Sequence, residues 1–64
     1  MKLSLKALRV NANLTVKEVA EIVGVSVGTI YSWERSEESF NKATWSAVKK
    51  LAEAYGVSVD DLRA

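Results

Sequence analysis

Residues 14–35 read LTVKEVAEIVGVSVGTIYSWER, and the spacing of caps and stops within this stretch decides the fold. Thr15 is followed three places later by Glu18. At that spacing a hydroxyl and a carboxylate can satisfy two backbone N–H groups that lack partners at a helix start. Val19, Ala20 and Val23 then fall on one helical face, and Gly24 stands where a left-handed C-terminal cap is expected. A single residue, Val25, separates that stop from Ser26, a second N-cap candidate, after which Ile30 and Trp33 carry the next apolar stripe. Two helices, over about 16–23 and 27–35, are therefore expected to meet through a very tight turn.

The flanks extend the same pattern. Leu5 and Leu8 mark a helix over about 3–12, and Trp45, Val48, Leu51, Ala52 and Tyr55 mark one over 45–55, opened by Thr44 and closed by Gly56. Ser58 stands three before Asp61, an acidic variant of the first cap, and opens a last short helix over 59–63. Leu14, Val25, Val57 and Leu62 lie in or beside the connections and would close the core. Trp33 and Trp45 read as core anchors, and residues 35–42, RSEESFNK, read as a loop. No stretch alternates as a strand, and no repeat or linker interrupts the chain. The expectation is an all-α fold, one domain over 1–64, built as a compact bundle of four to five short helices.

Composition narrows the chemistry. A chain of 64 residues buries only about 60% of its unfolded surface. With no cysteine it has neither disulfides nor thiolate-bound zinc to help, so packing must hold it. The absence of histidine removes the commonest general base and the commonest metal ligand, and no nucleophile–base constellation replaces it. No enzyme activity, no cofactor and no metal site are expected. Asp60 and Asp61 are better explained by capping and the helix dipole than by a divalent cation. No apolar run approaches the roughly 18 residues of a membrane span, and the start lacks a secretory signal. Nine basic and eight acidic residues give a net charge of +1, so a nucleic-acid partner depends on where the charge is displayed.

The unit over 14–35 is a helix-turn-helix. It resembles the DNA-binding domain of the lambdoid phage repressor and Cro family and its bacterial relatives. The resemblance continues through Leu8-Arg9 and through residues 50–62, KLAEAYGVSVDDL, and so covers nearly the whole chain. It implies a transcriptional regulator in the cytoplasm of a bacterial cell, whose third helix enters the major groove of operator DNA while the second crosses the phosphate backbone. On that pattern Val27, Gly28 and Ser32 face the bases. Val27 can pack on a thymine methyl, Ser32 can bond to several bases, and Gly28 admits a close backbone approach. No bidentate Arg, Asn or Gln reader is present; a plain solvated helix face is the bland alternative. Thr29 falls at the sugar–phosphate edge. Tyr31 either meets a phosphate or packs over a neighbour.

Thr15 and the amides opening the second helix match the family's backbone anchor. Val16 replaces the usual glutamine and offers only its amide. Lys17, Arg35 and Lys42 are further phosphate candidates, as is Lys6, each with a solubilising charge as its simpler role. Arg9 and Glu34 are implied to form a structural bridge between the first and third helices. The family's dimer contacts fall near Tyr55, Val57, Val59 and Leu62, which implies a weak homodimer reinforced on DNA. Glu37 and Glu38 depart from the family pattern, since carboxylates near phosphates repel them. Together with Val16 and the weak base-reading set, they favour the alternative of a protein-interaction module, an antirepressor partner or antitoxin-like domain that retains this fold.

Overall fold

The structure, a computed structural model, describes residues 4–62. Its order is α1 (Leu5–Asn11), α2 (Val16–Val23), α3 (Val27–Arg35), α4 (Glu37–Asn41), α5 (Trp45–Tyr55) and α6 (Val59–Leu62), with no strand among the described residues. Positions 3 and 63, the outer ends of the first and last expected helices, lie outside the described residues.

Local chemistry sets the boundaries. The Thr15 hydroxyl accepts from the Glu18 amide at 3.1 Å, and the Glu18 carboxylate accepts from the Thr15 amide at 2.9 Å, completing the expected capping box. Gly24, at φ 85°, and Gly56, at φ 69°, end α2 and α5 in the left-handed conformation that a Cβ would strain. At Gly24 nothing else among the described residues stands within 4 Å of where a Cβ would lie, so the backbone angle accounts for the glycine. Asn13 does the same work after α1, at φ 60°, while the Leu14 amide reaches back to the Arg9 carbonyl at 3.2 Å. At Ser58 only half of the expected cap forms. The Asp61 carboxylate accepts from both the amide and the hydroxyl of Ser58, each at 3.1 Å, instead of leaving the hydroxyl as an acceptor.

The core gathers Leu8, Val19, Ala20, Val23, Ile30, Trp33, Val48, Leu51, Ala52, Tyr55 and Leu62, as the apolar stripes require. Helix α2 packs on both α3 and α5, α1 touches α3 and α5, and α6 folds back on α5.

Three features differ from the sequence reading. Residues 37–41 are a short helix and not loop: Ser36 caps it by accepting from the Ser39 amide at 3.3 Å, and Glu37 and Glu38 occupy its first turn, where carboxylates suit the helix dipole. Phe40 anchors that helix at 4% exposure, its ring edge-on to Trp33 with centroids 5.9 Å apart. Trp45, expected in the core, is 59% exposed. It is the first residue of α5, and Ala47 and Val48 take the inward positions of that turn.

Candidate nucleic-acid interface

Helix α3 has two faces of opposite character. Ile30 and Trp33 turn inward, whereas Val27, Gly28, Tyr31 and Ser32 are exposed, Val27 at 39% and Tyr31 at 51%. The three positions expected to face bases thus share one open surface. Ser26 caps the helix by accepting from the Thr29 amide at 3.2 Å, and the hydroxyls of Ser26 and Thr29 lie 2.9 Å apart, which ties Thr29 to the turn. The amides of Val27 and Gly28, at the opening of the helix, have no acceptor within it.

Among the described residues nothing requires glycine at position 28. Its φ is not positive, and a Cβ there would meet only the Ser26 Oγ, at 3.8 Å, an ordinary contact. A glycine inside a helix costs roughly 0.5–1 kcal/mol relative to alanine, so this fold would be more stable with a side chain at position 28.

The start of α2 carries the expected backbone-anchor positions. Thr15 and Lys17 are exposed, while Val16 is buried, only 8% exposed, which makes its side chain part of the core and leaves it only its amide to offer. Because the Thr15 amide is already donated to Glu18, the donors left at this end are the amides of Val16 and Lys17. The Glu18 carboxylate sits at the same place, its pKa held below the ordinary glutamate value by the hydrogen bonds from the Thr15 amide and the Thr15 side chain. It places a negative charge at this end of α2.

At the far end of α3, Tyr31 and Arg35 line a shallow groove with Lys6, Arg9 and Glu34. Three cations against one carboxylate leave this groove positive. Arg9 is held by two bonds to Glu34, from Nε at 2.7 Å and from Nη2 at 3.3 Å, and by a third from Nη1 to the Leu14 carbonyl at 3.1 Å. Its side chain is 12% exposed and that of Glu34 8%. The hydrogen bond to Glu34 raises the Arg9 pKa above its ordinary value against the opposing effect of burial. This bridge ties α1 to the end of α3 and to the connection before α2. Tyr55 lies close enough to feel both charges, and burial first, then the Glu34 charge, pushes its phenol up to about 12.

Lys42 is exposed as the C-cap of α4. Glu37 lines a separate groove with Ser4, Leu5, Glu34, Arg35 and Leu62, around the end of α3 opposite Val27 and Gly28. Glu38 is exposed. Of the residues expected at a dimer contact, Tyr55 and Leu62 are buried at 8% and 5%, whereas Val57 and Val59 are half-buried. Among the described residues no three His, Cys, Asp or Glu side chains gather as a metal site, and no helix is long and apolar enough to cross a membrane.

No curated protein and no solved structure matches the chain. A family model described as a helix-turn-helix domain matches residues 3–64. With an α2–α3 unit joined through Gly24 and Val25, an open α3 face, a capped start of α2, and a match over nearly its whole length, the chain belongs to the helix-turn-helix domain family.

Proposed function

We propose that this protein is a sequence-specific DNA-binding regulator, and not an enzyme, that lays α3 in the major groove of operator DNA. The observation that carries the reading is the exposure of Val27, Gly28 and Ser32 on one face of a helix whose other face is locked into the core by Ile30 and Trp33. In this arrangement Thr15, the Val16 amide and Lys17 hold one stretch of phosphate backbone. Tyr31 and Arg35 hold another, Thr29 sits at the groove edge, and Lys42 adds charge beyond it. A small phage or prophage repressor of the Cro type is the finer identity we favour, on the resemblance of residues 14–35 and 50–62 to that group. Val57 and Val59 then supply a small self-contact over buried Tyr55 and Leu62, too small for a strong dimer without DNA. Two-fold binding spaces the half-sites about 34 Å apart.

Selection from random duplexes at low salt should enrich a site bound with an affinity that falls steeply as salt rises, because released counterions drive phosphate binding. Val27→Glu should abolish that binding with the helical circular-dichroism signal unchanged. Failure to enrich any site would end the reading. The second reading, a protein-interaction module, is favoured by the Glu18 carboxylate at the start of α2 and by the exposed Trp45. A salt-independent heterocomplex in place of DNA binding would select it.

A further inference from the structure

We infer that this protein reads thymine methyl groups by apolar contact, and that Gly28 is kept bare because the duplex occupies the space a side chain would fill. The inference rests on the proposal that α3 enters the major groove. Its own support is a conflict within α3: position 28 has room for a Cβ and ordinary helical backbone, yet holds the residue least suited to a helix after proline. Among the described residues neither the turn nor the core accounts for glycine there, which leaves a partner outside the chain as the reason we assign. Its neighbour Val27 is exposed at the same end of the helix, with 39% of the residue accessible. Ser32, the remaining reader, has a single hydroxyl, and the Thr29 hydroxyl lies 2.9 Å from that of Ser26.

This set cannot make a bidentate hydrogen-bond pair to guanine or adenine, which takes Arg, Lys, Asn or Gln. Beyond the single hydrogen bond that Ser32 can make, the groove feature it can read is the thymine C5 methyl, the one apolar group on a major-groove base edge. Against an aliphatic side chain and uncovered backbone, that methyl is removed from water. A larger residue at 28 would hold the helix off the base pairs and lose the contact with Val27 as well.

The experiment uses the full chain and the duplex recovered by selection. Thymines in the enriched site are replaced one at a time by uracil, which deletes the methyl and leaves every hydrogen-bonding group in place. Affinity should fall about fourfold at one or two thymines in each half-site, the effect of one buried methyl-sized group. Gly28→Ala should raise Tm by about 2–6 °C while weakening operator binding about tenfold. An enriched site indifferent to every uracil replacement, or a Gly28→Ala variant that binds as tightly as the parent, overturns the inference while leaving the DNA-binding reading intact. Absence of any enriched site removes that reading and the inference together.

Discussion

Two adjoining parts of this molecule reach their structure by different routes. The α2–α3 unit is specified by residues next to one another in the chain: Thr15 with Glu18, Gly24 at φ 85°, Ser26 with Thr29. Each boundary there closes a hydrogen bond over three or four residues, so each can be read without knowing what else surrounds it. The segment from Ser36 to Trp45 lacks that redundancy. Its helix has five residues and one long cap bond, too short to stand alone, since isolated helices of fewer than about 12 residues are marginal in water. What holds α4 is Phe40 set against Trp33, a contact with the neighbouring helix. The difference teaches that local signals suffice where caps are reciprocal, and that a one-turn helix exists only when the tertiary structure supplies a seat for its side chain.

The largest expected effect tests that seat. Phe40→Ala should cost about 3–5 kcal/mol, because it removes a buried ring and its edge-on contact with Trp33. A domain of this length holds only about 3–10 kcal/mol in total, so thermal or urea unfolding should show a protein close to its limit. A small loss confined to α4, with the remainder melting as before, would show that α4 is appended to the fold and not part of it.

Next comes the bridge that fixes α1 against the end of the turn unit. Glu34→Ala leaves a nearly covered guanidinium without its carboxylate and should cost about 2–4 kcal/mol, measured by urea denaturation. A double-mutant cycle with Arg9→Ala should return a large part of that as coupling energy; simple additivity would deny the bridge its role.

The caps allow the comparison to be drawn on equal terms. Thr15→Ala dismantles a two-way box and should cost about 1 kcal/mol, whereas Ser36→Ala breaks one 3.3 Å bond and should cost about 0.5 kcal/mol. Equal losses would mean that α4 is as locally determined as α2. Smallest of all, Trp45→Ala should shift stability by less than about 0.5 kcal/mol, as surface substitutions usually do. A core-sized loss would restore the periodicity reading that placed this indole inside.

That reading shows where legibility stops. The stripe through Trp45, Val48, Leu51, Ala52 and Tyr55 places four of its five members correctly, and the miss is the one at the helix end, where Ala47 shares the inward direction with Val48. Helical periodicity fixes directions around an axis. It does not say how far along the axis the neighbouring helices reach. Phe40 was hidden for a related reason: a single apolar residue among Ser, Glu and Asn has no period. Its one local signal, Ser36 followed by two acidic residues, is a helix start that the short run behind it made easy to read as loop. In the candidate interface, the outward positions Val27, Gly28, Ser32 and Tyr31 were legible as the complement of Ile30 and Trp33. Glu18 was legible as a capping residue, but its charge beside the proposed phosphate anchor belongs to the site as well.

By itself the sequence determined the helix starts and stops, the tight join between α2 and α3, and most of the inward stripe, because capping and periodicity act over three or four residues. Only the tertiary structure decided that α4 is a helix, that Trp45 lies outside, and that position 28 has space for a side chain it does not carry. Those outcomes depend on which surfaces meet after the chain has folded back on itself, and no short window of residues encodes that meeting.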